Sequence, residues 1–152
     1  MMRTRLQEAL KEAMRSKEAR AVATVRLILA ALKDRDIAAR SKGQMDGISD
    51  DEILSMLQSM IKQRRESIQL YEQGGRLELA EQESEEIAVI ERFLPRQMDD
   101  AEVAAAIDAT LSGLGAAGLK DMGRVMAELR ERYAGQMDFA KASGLVKQKL
   151  QG

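Results

Sequence analysis

The sequence contains no cysteine and no histidine. These absences exclude disulfides, thiol catalysis, imidazole acid–base chemistry and the usual zinc sites. Enzymes that lack both residues generally use Ser–Lys pairs, Mg²⁺-bound carboxylates or an activated Thr. The chain also has no Trp, one proline and 3% aromatic residues. A core of Leu, Ile, Val, Met and Ala suits packed helices, and alternating β-branched runs are scarce, so we predict an all-α fold.

Signals for membrane insertion and export are missing as well. No apolar stretch approaches the length needed to cross a bilayer. The N-terminus lacks the apolar core of a signal peptide. We therefore expect a cytoplasmic protein without membrane contacts.

The charged residues are unevenly distributed, although the net charge is only -1. Residues 1–42 carry 11 basic and 5 acidic side chains, and residues 77–108 carry 2 basic and 10 acidic ones. Residues 109–152 return to 7 basic and 4 acidic side chains. Basic ends around an acidic middle predict nucleic-acid contacts at either end of the chain. The overall balance argues against strong nonspecific binding.

The stretch from Met56 to Pro95 predicts two amphipathic helices joined by a sharp turn at 73–76. Apolar residues recur at three- and four-residue spacing in both arms: Ile53, Leu57, Met60, Ile61, Ile68 and Tyr71, then Leu77, Ala80, Ile87, Ile90 and Leu94. Glu83 and Ser84 occupy the turn of the second arm where another apolar residue is expected. Proline disfavours helical dihedrals in the residue before it, so the second arm should end at Leu94.

The charges on this hairpin support two interpretations. Antiparallel arms would place Lys62 opposite Glu86 and Arg65 opposite Glu83, which predicts interhelical salt bridges. Alternatively, Lys62, Arg65 and Arg76 form part of a phosphate-binding surface. Glu83 and Glu86 share a helix face, but a di-metal bundle site normally adds histidine ligands, so we predict no metal and no cofactor.

Further helices are predicted on both sides of the hairpin. Those at 3–15 and 18–39 should bury Leu6, Leu10 and Met14, and then Val22, Val25, Leu29 and Leu32. Ser49 and Glu52 have the spacing of a capping box that starts the first hairpin arm. These segments make up a predicted N-terminal domain, residues 1–95, with the long hairpin inside it.

A second domain, residues 96–152, is predicted to contain three helices. Asp99 and Glu102 match a capping box. The glycines between 113 and 118 predict a flexible connector, and further helices should begin near Leu119 and after Asp138. The inward residues expected in these helices are Val103, Ile107, Leu111, Met122, Val125, Met126, Leu129, Tyr133, Phe139, Ala142, Leu145, Val146 and Leu150.

The segment 120–126 is the most unusual stretch of that domain. Gly123 lies inside a helical pattern, where glycine costs about 1 kcal/mol relative to alanine and usually has a packing or contact reason. Lys120 and Arg124 flank it, so either a crossing helix or a nucleic-acid phosphate could approach there. With few aromatic side chains to stack on bases, any RNA contact should use shape and backbone.

A set of motifs across nearly the whole chain carries a family resemblance: Ile61-Lys62-Gln63-Arg64-Arg65-Glu66-Ser67, Tyr71, Gly75-Arg76, Leu79-Ala80, Glu83, Glu86, Phe93-Leu94-Pro95, Lys120-Asp121-Met122-Gly123-Arg124-Val125-Met126 and Leu145-Val146-Lys147. Together these motifs resemble the YqeY family. The C-terminal part of that family is similar to the tail of the B subunit of the glutamine-dependent aminoacyl-tRNA amidotransferase, which engages tRNA. The tail-like motif carries over to Lys120, Gly123, Arg124 and Met126. Phe93 departs from the family, which often has Tyr there.

The resemblance implies a tRNA-binding accessory module associated with a carbon–nitrogen ligase that uses glutamine as amido donor. Lys120 and Arg124 would contact phosphates, Gly123 would allow close approach, and Lys147 and Lys149 would add positive field. The expected partners are tRNA and an amidotransferase or aminoacyl-tRNA synthetase complex. No nucleophile or phosphate-binding motif is evident, so we predict no catalytic residues.

Two other functions stay open. One is amidotransferase activity together with a separate glutaminase. The other is a protein-interaction adaptor that uses the charged hairpin.

Overall fold

The computed structural model describes residues 1–151, and helices are the only regular secondary structure in this part of the chain, which confirms the predicted all-α class. The helices are α1 (Met2–Arg15), α2 (Ala19–Ser41), α3 (Asp50–Gln73), α4 (Leu77–Glu91), α5 (Asp100–Leu114), α6 (Met122–Arg132) and α7 (Phe139–Gln151). A 3₁₀ turn, Leu119–Asp121, leads directly into α6.

The chain divides into two compact units between Leu94 and Pro95. Each unit has its own apolar core. Helix α4 ends at Glu91, three residues before the predicted end at Leu94, and the side chain of Asp99 caps α5.

In the N-terminal unit, α3 and α4 form an antiparallel hairpin, and α2 packs against both of them and against α1. The Ser49–Glu52 capping box is present at the start of α3, as predicted. Two residues expected in the core are exposed: Met14 at 52% and Leu77 at 65%. Both lie at a helix end, where the neighbouring helix no longer covers the side chain. In α2 the fully buried positions are Thr24, Val25 and Ile28, and the predicted stripe contained only Val25 of these.

The loop between α2 and α3 is held by a polar network in addition to the burial of Ile48 in the apolar core. Asp36 Oδ1 accepts hydrogen bonds from the Ile48 amide at 2.9 Å and from Arg3 Nη2 at 2.5 Å. The same Arg3 nitrogen donates to the Ile48 carbonyl at 2.9 Å. Burial acts to raise the pKa of Asp36, but the bonds from Arg3 and Ile48 outweigh it, so the pKa lies below its ordinary value.

The C-terminal unit packs α5, α6 and α7 around one core. Asp99 and Glu102 form the predicted capping box, and Asp138 accepts a hydrogen bond from the Ala140 amide at 2.9 Å at the start of α7. The predicted glycine connector is shorter than expected, because Gly113 lies within α5 and only Gly115 takes a left-handed conformation. Leu145, predicted to face inward, is 38% exposed.

Candidate nucleic-acid interface

The turn before α6 is shaped by one carboxylate. Asp121 accepts hydrogen bonds from the amides of Ala117 at 2.9 Å and Gly118 at 3.4 Å. It also pairs with Arg124 at 3.0 Å. The bond from the Ala117 amide is the main cause of its lowered pKa, and the bonds from Gly118 and Arg124 add to it. Sequence reasoning gave Asp121 no role, although its three-residue spacing from Arg124 was a readable signal.

This turn presents a compact basic face. Lys120, Gly123 and Arg124 are exposed and have the three- and four-residue spacing that places side chains on one helical face. Apart from its chain neighbours and its own helix backbone, a methyl group built at Gly123 would meet no atom of residues 1–151 within 4 Å. The crossing-helix explanation of Gly123 is therefore wrong. Within the described residues, the space above its Cα is open.

The two lysines of α7 do not form one surface. Residues two positions apart in an α-helix point about 200° apart, so Lys147 and Lys149 leave α7 on opposite flanks. Lys149 forms an ion pair with Asp108 of α5. Lys147 is exposed. Helix α7 also packs against the 3₁₀ turn that carries Lys120.

The charged cluster of the hairpin lies inside the N-terminal unit. Arg64 Nε donates to Glu86 Oε2 at 2.9 Å and lies 3.9 Å from Glu83 Oε2. The Arg64 and Glu86 side chains are only 14% and 10% exposed. Arg20 of α2 pairs with Glu85 at 3.1 Å and lies 4.0 Å from Glu86. These groups join α2, α3 and α4 in one internal ion-pair network.

The predicted pairs Lys62–Glu86 and Arg65–Glu83 are therefore wrong. Arg64 lies in the same stripe as Leu57, Ile61 and Ile68, and that position turns its guanidinium toward α4. Arg65 instead pairs with Glu91 at 3.5 Å on the surface. Arg76 pairs with Glu78 at 3.2 Å beside the hairpin turn. Lys62 is exposed.

The surroundings of Glu83 in this network disfavour its ionised form. Burial is the main cause of its raised pKa, and the charge of Glu86 adds to it against the attraction of Arg64. A raised carboxyl pKa means that the folded state binds the proton more tightly than the unfolded chain. The resulting loss of stability is complete above the folded pKa and disappears as the pH falls below 4.5, the ordinary value.

We expect Glu83→Gln to stabilise the protein at neutral pH because it removes that ionised carboxylate. The expected rise in Tm is about 2–4 °C, which is the effect of roughly 1 kcal/mol in a chain of this size. Thermal unfolding at pH 7 and pH 4 measures it. Glu78→Gln is the exposed control. A gain at pH 4 as large as that at pH 7 would contradict the explanation.

These features define an all-helical protein with a charged helical hairpin in one unit and a three-helix second unit. The family described as "Yqey-like protein" matches residues 3–150. The chain therefore belongs to the YqeY family. No helix within residues 1–151 combines the length and the apolar character that a bilayer span requires.

Three fungal proteins are similar to this chain. Altered inheritance of mitochondria protein 41, mitochondrial, from Candida glabrata is 34% identical over 89 residues, which is 59% of this chain and 47% of that protein. The protein of the same name from Lachancea thermotolerans is 33% identical over 109 residues, 72% of this chain and 55% of that protein. An uncharacterized protein of Schizosaccharomyces pombe is 27% identical over 90 residues, 59% of this chain and 69% of that protein. The chain thus spans about half the length of the first two relatives.

Proposed function

We propose that the chain is a tRNA-binding accessory module that is not catalytic alone and acts with a glutamine-dependent tRNA amidotransferase. The observation that carries the proposal is the open basic face formed by Lys120, Gly123 and Arg124. Lys120 and Arg124 are exposed near the Gly123 backbone, and no side chain of residues 1–151 lies within 4 Å of a methyl group built at Gly123. A phosphate group can approach such a backbone closely while both cations neutralise it.

The proposed contact has a defined electrostatic cost. Arg124 already pairs with Asp121 and must turn from that carboxylate toward a phosphate. Lys120 is exposed and needs no such exchange. Binding should therefore be moderate, because it rests on a few phosphate contacts, and it should weaken as salt rises, with a slope set by the number of those contacts.

The test is binding of the full chain to labelled total tRNA at two salt concentrations, measured by fluorescence anisotropy. We expect the double variant Lys120→Glu/Arg124→Glu to lose at least tenfold in affinity at low salt. Its log–log salt dependence should be shallower by about 2, since each lost phosphate contact removes close to one unit of slope.

Two matched variants sharpen this experiment. Lys62→Glu/Arg65→Glu reverses the same two residue types in the other unit and should leave tRNA affinity nearly unchanged. Gly123→Ala should keep or slightly raise stability, since alanine is the better helix former by about 1 kcal/mol, while it weakens tRNA binding by covering the backbone. If the Lys120/Arg124 reversal binds tRNA like the wild type, the proposed interface is wrong.

The amidotransferase association rests on the family's resemblance to the B-subunit tail. It predicts glutamine- or ammonia-dependent amide formation on charged tRNA only when separate glutaminase and transamidase subunits are present. The chain should alter the rate of that reaction, and the Lys120/Arg124 reversal should abolish its effect. A cytoplasmic location belongs to the same proposal, whereas the names of the two yeast relatives assign those proteins to mitochondria.

A protein-interaction adaptor is the second candidate, and one observation favours it. Leu70 and Leu77 are 68% and 65% exposed on either side of the hairpin turn. Exposed apolar residues mark protein-interaction sites where they form one patch, and Leu70 and Leu77 are the apolar candidates for such a patch at this turn. A partner captured after nuclease treatment, and lost when Lys62 and Arg65 are both reversed, would identify this function instead.

A further inference from the structure

One face of helix α2 packs against the core of the N-terminal unit, and the face on the side away from that core is exposed. Every residue of this outer row is exposed, and the spacing alternates between four and three: Ala23, Leu27, Ala30, Asp34, Ile37 and Ser41. The two large members, Leu27 and Ile37, are 48% and 51% exposed. This alternation is the pattern of a coiled-coil seam, whose apolar positions pack against another helix.

A row of cations runs along one flank of the outer row. Arg26, Lys33 and Arg40 are all exposed and lie seven residues apart. In a heptad in which the outer row supplies the seam, they occupy the flanking position that pairs with charges of a partner helix. Arg40 donates to the Met45 carbonyl at 3.3 Å, while Arg26 and Lys33 form no ion pair with any residue that the structure describes.

The opposite flank is unsuitable for charge pairing. It consists of Thr24, which is buried, Ala31, which is partly buried, and Ala38, which is exposed. A helix laid on the outer row therefore meets positive charge on one side only and small uncharged side chains on the other.

The exposed apolar residues and the cationic flank indicate what kind of partner would bind the outer row. Leu27 and Ile37 need apolar side chains opposite them, and the flank of cations needs carboxylates. An RNA backbone would satisfy the cations but would leave both apolar residues exposed. A lipid surface would cover the apolar residues but would bury Asp34, which has Ala30 and Ile37 as its neighbours along the row, against apolar chains or anionic headgroups.

A second copy of this chain is also a poor occupant. Antiparallel packing of two outer rows brings the cationic flanks face to face, since equivalent flanking positions meet in that arrangement. Parallel packing sets each cationic flank against Thr24, Ala31 and Ala38, which supply no negative charge. Like charges in register are a common means of preventing self-association.

We propose that the outer row of α2 is the docking site for an amphipathic helix of a partner protein that carries acidic residues beside its apolar stripe. Asp34 adds a requirement on the register. A carboxylate in the middle of a seam needs a basic or polar residue opposite it, so the partner helix should carry a lysine, arginine or amide side chain at that point. This site lies in the N-terminal unit and is separate from the basic face at Lys120 and Arg124.

The test uses the full chain and a fluorescein-labelled synthetic helix of three heptads, about 21 residues long. The peptide has leucine at its seam positions, glutamate at its flanking positions and one central seam lysine to face Asp34. Its glutamates repel one another and keep the peptide from pairing with itself. A second peptide has lysine in place of every flanking glutamate. Affinities are measured by anisotropy.

We expect micromolar binding of the glutamate peptide and at least tenfold weaker binding of the lysine peptide. The double variant Leu27→Ser/Ile37→Ser should weaken binding of the glutamate peptide at least tenfold, because two aliphatic contacts are lost. Arg26→Glu/Lys33→Glu should exchange the preference and bind the lysine peptide at least tenfold better than the glutamate peptide. Leu70→Ser/Leu77→Ser removes two equally exposed leucines from the hairpin turn and should change neither affinity.

All four replaced side chains of the test variants are exposed, and circular dichroism checks that the variants keep the helix content of the wild type. Equal affinity for the two peptides, or no saturation up to about 1 mM, would overturn the proposal. So would binding to tRNA or to phosphatidylserine-containing vesicles that depends on Leu27 and Ile37 while the glutamate peptide does not bind. A dimer that dissociates in the Leu27/Ile37 variant would identify a second copy as the occupant and would also overturn it.

Discussion

Replacement of Arg64 by alanine is expected to destabilise the N-terminal unit by about 3 kcal/mol. The guanidinium is 2.9 Å from Glu86 and 3.9 Å from Glu83, and it is mostly shielded from water. Its loss leaves two partly buried carboxylates without their principal cation. Arg20, 4.0 Å from Glu86, remains as a weaker partner, so the effect lies at the low end of the range for broken buried pairs.

The neighbouring residue supplies the control for this prediction. Arg65 pairs with Glu91, but its side chain is 65% exposed, so Arg65→Ala should cost no more than about 1 kcal/mol. Urea denaturation of both variants at pH 7 gives the comparison. Adding Glu86→Gln to Arg64→Ala should recover part of the loss, since it removes an unpaired buried charge. Equal destabilisation by Arg64→Ala and Arg65→Ala would show that the internal network contributes little to stability.

Replacement of Gly47 by alanine is expected to cost about 3 kcal/mol, close to the cost at Arg64 and through a different mechanism. Gly47 has φ +82°, and a methyl group there would lie 2.6 Å from Cγ of Asp36 and 2.8 Å from Nη2 of Arg3. The left-handed backbone alone costs about 1–2 kcal/mol for an alanine. The remaining cost comes from displacing the carboxylate that accepts the Ile48 amide.

Gly43 separates these two contributions. Its φ is +92°, but a methyl group there would meet nothing within 4 Å. Gly43→Ala should therefore show only the backbone cost, about 1–2 kcal/mol, in the same urea titration. If both alanine variants are equally destabilised, displacement of the Arg3–Asp36 network does not contribute to the cost of Gly47→Ala.

The acid response gives an independent check on that network. The lowered pKa of Asp36 contributes stability that is present above its ordinary pKa of 3.8 and is lost as the pH falls through the lower folded value. Gly47→Ala displaces this carboxylate, so its stability deficit relative to the wild type should narrow below pH 3.8.

Helix boundaries were largely readable from the sequence because they depend on a few local groups. The Ser49–Glu52 and Asp99–Glu102 boxes each satisfy amides within three residues, so no distant contact is needed to recognise them. Pro95 likewise acts on its immediate neighbour. Burial at helix ends was less predictable. Met14 and Leu77 continue their apolar stripes, but exposure there depends on how far the neighbouring helix extends.

The charged positions show why the candidate sites were only partly predictable. Antiparallel pairing of the two arms predicted Lys62 and Arg65 as the inward cations, but such pairing fixes the phase of a helix only to within about one residue. A shift of one residue rotates a helical side chain by about 100°, which is enough to exchange Arg65 for Arg64. The apolar stripe through Ile61 and Ile68 indicates Arg64 as the inward cation, since Arg64 lies between them at helical spacing. The pair of Arg124 with Asp121 follows a three-residue spacing that is visible in the sequence. The pair of Lys149 with Asp108 joins two helices and depends on how they pack.

The residues that follow Pro95 determine where an expression fragment of the C-terminal unit should begin. Gln97 Nε2 donates to the carbonyls of Pro95 at 3.0 Å and Gly135 at 2.6 Å, and the Met98 amide donates to the Gln136 carbonyl at 2.9 Å. Residues 95–98, which look like a linker, therefore bind the turn between α6 and α7 through hydrogen bonds. An expression fragment that starts at the helix cap, Asp99, would lack these residues and would leave the turn without two of its hydrogen-bond donors. A fragment that starts at Pro95 keeps the unit whole.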